Sequence, residues 1–424
     1  MIRFLLKGLI RDRSRSLFPL LTVLAGVMLT VVLYCWINGV TADMIRSSAN
    51  FQTGHLKIMS RAYAAEADQV PNDLAFIGVS DLLNELHTQF PDILWTPRIK
   101  FGGLLDIPDD RGETKAQGPV LGLGVDLFSP SSPEYSLLNL SQAVMRGRLP
   151  RQPGEITISE EFAERLNVQL GETATLISST MYGSMAAYNF TVVGTIRFGV
   201  TAMDRGSMIA DISDVQYALN MEEAAGEVLG FFRDSFFYAK KAEEIAASFN
   251  SRFLNQGDEF SPVMQTLRDQ AGLGEMLDLM DTFSGLVITI FIVAMSIILW
   301  NAGLIGSLRR YGEIGVRLAI GEYKSHLYRS MIAESLMIGI FGSLLGTAVG
   351  LGIAYYMQVK GINLSSFMKN STMMISDVLR ARVTPTSFFI GLVPGLAATF
   401  LGTSISGIGI YKRQTSQLMK ELEV

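Results

Sequence analysis

The sequence predicts an α-helical membrane protein with four transmembrane helices and one large α+β domain outside the membrane. Residues 17–42, 282–308 and 383–411 are free of charge, and 331–359 holds only Glu334. Each run exceeds the ~20 residues that cross a bilayer core. Between 43 and 281 charges recur and turn signals such as Pro71-Asn72-Asp73 and Gln152-Pro153-Gly154 punctuate the chain, which marks a folded aqueous domain. The composition agrees: 49% of residues are hydrophobic, 18% are charged, and the mean hydropathy is +0.30.

Forty acids against thirty-five bases leave a net charge of -5, so no basic field calls for nucleic acid. The single cysteine, Cys35, excludes an intrachain disulfide. His55, His87 and His326 are scattered without metal-ligand spacing. No metal site and no catalytic residue is assigned.

Residues 1–16 place Ile2, Leu5, Leu6, Leu9 and Ile10 on one stripe among five bases, as in an interfacial helix on the cytoplasmic side. The first span, 17–42, lacks the short apolar region and A-x-A-like site of a cleaved leader, so it is expected to be retained.

The domain 43–281 divides into a core at 43–140 and 215–281, with a β-rich subdomain at 141–214 inserted into it. Ser80 reads as the cap of a helix to Phe90. Strands follow at 96–107 and 120–126, joined by the polar tip PDDRGETKAQG. The tip is an exposed hairpin and a candidate contact loop for a soluble partner. In the insert, Glu155–Ile158 reads as a strand, Ser159 as the cap of a helix to Leu166, and 173–177 with 190–196 as a hairpin.

The loop of that hairpin carries Met181, Tyr182, Met185 and Tyr188. Methionine adapts to irregular shapes, so these four are candidates to contact an apolar cargo, although such residues more often cover a neighbouring domain. Residues 262–281 read as a helical stalk running into the second span.

Gly342, Gly346 and Gly350 lie four apart in the third span, a small-xxx-small face that admits a close helix neighbour. The fourth holds Gly391, Gly395 and Pro394, where a kink is expected. Thirteen basic residues flank the segments 1–16, 309–329 and 412–424, against four in the short extracytoplasmic loop 360–382. This bias puts both termini and the loop 309–330 in the cytoplasm.

That loop reads RRYGEIGVRLAIGEYKSHLYRS. Glu313 and Arg317 stand four apart on one helix face, Ile314, Val316, Leu318 and Ile320 supply apolar surface, and Gly321 is placed to end the helix. From the residues alone, a docking element and an ordinary surface loop are equally open.

The pattern Arg310-x-x-Glu313-Ile314-Gly315-x-Arg317-x-Ala319-x-Gly321, followed by Ala333-Glu334, resembles the signature of the FtsX-like permeases. Asn301 falls where they often carry Asn. The run from Gly147-Arg148-Leu149-Pro150 to Val193-Gly194 is similar to the extracytoplasmic core of MacB-type members. The layout lies closest to the lipoprotein-releasing LolC and LolE permeases.

The resemblance implies that residues 310–321 form a coupling helix seated on a cytoplasmic P-loop ATPase dimer. The chain itself has no G-x-x-x-x-G-K-[ST], so no cofactor is expected in it, and ATP and Mg belong to the ATPase. A second permease subunit, a lipoprotein or other amphipathic cargo and a periplasmic acceptor protein complete the implied partners. The implied function is mechanotransmission in the bacterial inner membrane for lipoprotein release. MacB-like efflux of peptides or drugs, or an FtsX-like scaffold activating a cell-wall hydrolase, are the alternatives.

Overall fold

The computed structural model describes residues 13–109, 111–130, 132–198, 201–234, 236–253, 258–270, 272–308, 311–363 and 378–412. The chain forms two compact units. One holds the described residues up to Ala42, Leu279–Asn363 and those from Val378; the other is Asp43–Asp278.

The second unit is built on a sheet of β1 (Leu56–Ser60), β3 (Ile93–Pro108), β4 (Thr114–Val125), β5 (Val144–Gly147), β6 (Glu155–Ser159), β7 (Thr173–Ser179), β8 (Met185–Ile196), β9 (Ser207–Asp211), β11 (Glu227–Phe232) and β12 (Pro262–Thr266). The short β2 (Phe76–Ile77) and β10 (Ala224–Ala225) pair separately. In the large sheet the order is β12-β1-β11-β3-β4-β9-β6-β8-β5, with β7 joined to β3 and β8. Strands from 43–140 and 215–281 therefore sit side by side. The segment 141–214 is not a separate sheet, because β9 continues from β4 by parallel pairing and β7 pairs with β3.

Alternation along the strands sorts side chains to two faces. Leu56, Ile58, Trp95, Ile99 and Val228 enter the main core, where Leu82, Leu86, Phe162, Val215 and Phe249 from four helices cover them. The opposite face carries Lys57, Thr96, Arg98, Lys100 and Glu227, fixed there by the registers Lys57↔Leu229, Thr96↔Leu229 and Arg98↔Glu227.

Three local expectations change. Ser80 lies inside the helix Val79–Gln89, which starts from Gly78 at φ 86°, and its hydroxyl donates to Glu223 at 2.7 Å. Residues 262–266 are not helical: their burial alternates, and they pair with β1 from Leu56↔Thr266 to Ser60↔Pro262. The long helix begins only at Leu273 and runs to Leu308. Ser159 does precede the helix Glu160–Leu166, but its hydroxyl accepts from the Ser207 amide instead of capping.

Among the described residues, four helices are long and apolar enough to cross a membrane: Leu17–Thr53, Leu273–Asn301, Lys324–Lys360 and Pro385–Ile408. The fourth is interrupted around Pro394, where Val393–Ala397 forms one wide π turn before the α-helix Ala398–Lys412. Proline has no N–H to continue an α ladder, which accounts for the break. Most of residues 1–16, the loop 364–377 and the tail from 413 lie outside the described residues.

Candidate coupling helix and glycine face

The loop between the second and third candidate spans contains the helix Tyr311–Ala319. Its end is fully specified by hydrogen bonds. The Glu322 amide donates to the Arg317 carbonyl and the Gly321 amide to Leu318, both at 3.1 Å, with Gly321 at φ 102°. This pair of bonds is the Schellman closure, and only glycine takes that backbone angle without strain. Glu322 Oε1 then accepts from His326 Nδ1 at 2.8 Å, at the start of the helix Lys324–Lys360.

Gly315, Arg317 and Ala319 lie on this helix, with Arg317 and Ala319 exposed. Arg310 lies outside the described residues, as do the side chains of Glu313 and Ile314. Val316 is 40% exposed, Ile320 82% and Tyr323 81%. Large apolar side chains thus stand uncovered at the end of a short helix that also exposes Arg317.

Gly342, Gly346 and Gly350 meet the first span. A Cβ at Gly342 would lie 2.7 Å from Val23 Cγ1, at Gly346 2.6 Å from the Leu24 carbonyl oxygen, and at Gly350 3.0 Å from Val31 Cβ. Gly391 faces the same ridge at 2.6 Å from Val27 Cγ1, and Gly395 lies 2.1 Å from Ser343 Oγ on the same measure. Val23, Val27 and Val31 are buried between these small-residue faces. Without a hydrophobic drive inside lipid, such close approach is what holds helices together.

The four Met and Tyr residues are dispersed. Met181 belongs to the main core and is 6% exposed, so it is unavailable to cargo. Its amide bonds the Leu219 carbonyl, which ties the hairpin tip down. Tyr188 stacks edge-on with Phe190 and Tyr217. Only Tyr182 (71%) and Met185 (83%) are open.

One constellation escaped the sequence reading. Lys57 Nζ lies 2.8 Å from Glu227 Oε1, and Lys100 Nζ 3.0 Å from Glu227 Oε2. Burial pushes the Lys57 ammonium down to about 8. It pushes the Glu227 carboxyl the other way, but the two ammonium groups outweigh it and hold Glu227 at about 2. The signal was present in Thr96, Arg98 and Lys100, polar at period two within an apolar strand. Lys57, Lys100 and Glu227 border a cleft of about 710 Å³.

Residues 285–415 match the model of the FtsX-like permease C-terminal domain. Over 264 residues the chain is 23% identical to the lipoprotein-releasing system transmembrane protein LolC of Xylella fastidiosa (strain Temecula1), which covers 59% of this chain and 62% of the relative. Over 159 residues it is 27% identical to the macrolide export ATP-binding/permease protein MacB of Hyphomonas neptunium, covering 38% of this chain and 24% of the relative. The periplasmic region of MacB from Actinobacillus actinomycetemcomitans aligns with a TM-score of 0.34 at 15% identity, over 52% of this chain and 91% of that one. The chain spans less than two thirds of the length of these curated relatives. The family match lies on the coupling-loop region and the second, third and fourth candidate spans described above, so residues 285–415 are what this chain shares with the FtsX-like permeases.

Proposed function

We propose that this chain is the membrane subunit of an ABC transporter, without enzymatic activity of its own, that releases lipoproteins from the bacterial inner membrane. A cytoplasmic P-loop ATPase dimer supplies the energy and docks on the helix Tyr311–Ala319. The observation that carries the reading is the exposure of Val316, Ile320 and Tyr323 beside Arg317, in the loop between two candidate spans. An apolar end beside a charged face is what a helix-in-groove contact uses. ATP and Mg are held by the ATPase, both termini are cytoplasmic, and a second permease subunit completes the membrane assembly.

Relatives named LolC support lipoprotein release, and relatives named MacB favour a second reading, export of a peptide or drug. Mass spectrometry of material co-purified in detergent separates them: lipid-modified proteins support the first and their absence the second. Docking is tested by Glu313→Lys and Arg317→Glu, each of which puts like charges four apart on the helix. Both should weaken ATPase capture about tenfold or more, the effect of ~1.4 kcal/mol. Unchanged capture and unchanged stimulated turnover in both variants would remove the assignment.

A further inference from the structure

The helix Arg13–Ser48 runs on into the π turn Ala49–Thr53, and the chain then passes through Gly54, at φ 62°, towards β1. A helix leaves its last carbonyls without partners of its own. Here three of them are taken by side chains from elsewhere in the sheet unit. Arg98 Nη1 donates to the Asn50 carbonyl at 2.6 Å, Lys100 Nζ to that of Gln52 at 3.1 Å, and Gln270 Nε2 to that of Thr53 at 3.2 Å. Two of these donors are cations, which the negative end of the aligned peptide dipoles favours.

Each donor is itself braced. Arg98 is paired with Glu134 at 2.7 Å and Lys100 with Glu227 at 3.0 Å. Gln270 donates a second bond, to the Thr266 carbonyl at the end of β12, at 3.1 Å. Arg98 and Lys100 stand two apart, hence on one face of β3, and β3 is paired with β4, β7 and β11.

The direction of the bonds gives them a mechanical sense. Helical carbonyls point along the helix axis, so donors that cap them take up a load along that axis, where contacts on a helix flank would slide. The covalent route into β1 runs through one glycine, the residue with the widest backbone freedom. The side-chain bonds therefore stiffen a joint that the main chain alone leaves loose.

We propose that Arg98, Lys100 and Gln270 are positioning residues: a clasp through which displacement of the helix Arg13–Ser48 becomes displacement of β3. This rests on the reading of an ATPase-driven membrane subunit and adds the joint at which movement enters the large sheet.

The test uses the full chain with its co-purified ATPase in nanodiscs. Dyes on Ser184→Cys and Ser325→Cys, both exposed positions, in a Cys35→Ala background report the change in energy transfer on adding ATP and vanadate. Lys100→Met leaves Lys57 beside Glu227 at 2.8 Å, so the far-UV spectrum and ATPase capture should be unchanged, while the ATP-dependent change falls by half or more. Lys100→Arg restores a cation and should recover it. Gln270→Met, which removes the bond to Thr53, should reduce it as Lys100→Met does. A full change in both Lys100→Met and Gln270→Met would overturn the clasp alone. No change in the dye-labelled chain without these substitutions would overturn the clasp together with the ATPase reading.

Discussion

Arg98 grips Glu134 with two parallel bonds, 2.8 Å from Nε to Oε1 and 2.7 Å from Nη2 to Oε2, and neither side chain has exposed surface. Thr96 donates to the same carboxylate at 2.8 Å, and Arg98 Nη1 reaches the Asn50 carbonyl at 2.6 Å. The pair thus ties β3 to the helical turn Glu134–Leu137 and to the π turn Ala49–Thr53. Breaking a buried pair leaves a lone charge, which costs about 3–5 kcal/mol. Arg98→Met should lower the unfolding free energy by that amount, and Arg98→Met with Glu134→Leu should recover much of the loss. A loss under ~1 kcal/mol for Arg98→Met would show that the pair is not structural.

A second prediction concerns acid. His55 is buried against Phe232, accepts the Phe232 amide at Nδ1, and is driven down to about 4 by that burial, with Asp234 opposing and Arg46 assisting. The unfolded chain takes up this proton near pH 6.5, so between there and pH 4 it binds more protons than the folded one. Stability from neutral His55 is complete above that window and is lost as the pH falls through it, by about 3 kcal/mol in all. His55→Gln keeps an acceptor and should show a flatter urea midpoint between pH 6.5 and 4.5. Glu227, at about 2, is lost only at lower pH. Parallel curves for the two proteins would refute this.

In the membrane unit, Gly346→Leu should fail where Gly352→Leu succeeds. A Cβ at Gly346 meets main-chain atoms of Leu24, which cannot swing aside, whereas one at Gly352 meets nothing within 4 Å. Overpacking costs about 1–3 kcal/mol or more. Purified in detergent, Gly346→Leu should melt several degrees lower and Gly352→Leu unchanged. Matching curves would mean that the glycine face is not a packing surface.

Sidedness can be read with two cysteines in a Cys35→Ala background. Ser184 is exposed at the β7–β8 tip and Ser325 at the start of the third candidate span. With intact spheroplasts and an impermeant maleimide, Ser184→Cys should label and Ser325→Cys should not. The reverse pattern would invert the orientation.

What the sequence made legible was what short-range physics controls. Charge-free length marked four apolar helices among the described residues, Gly321 marked a helix end, and the polar tip between two β-runs marked the hairpin of β3 and β4. What it concealed depended on distant partners. Leu267, Leu273, Met276, Leu277 and Met280 suggest a helix over 262–281, yet 262–266 is a strand because β1 offers it a free edge. Met181 resembles its exposed neighbours in sequence and is buried because Leu219 holds its amide. Lys57 and Glu227 are far apart in the chain, and only the β1–β11 pairing reveals them as partners.

The position of β1 bears on biosynthesis. Its two neighbours are β11 and β12, so Leu56 pairs with Gly230 and Thr266, about 170 and 210 residues downstream. At ~5–20 residues per second, a ribosome needs roughly ten to forty seconds to deliver them. Throughout that interval both edges of β1 lack their native neighbours, and neither half of the sheet can be completed from upstream sequence alone. Sites that accelerate translation between 61 and 266 would shorten the exposure, and a stall placed there would lengthen it, making the nascent chain a substrate for holdases and proteases before it can fold.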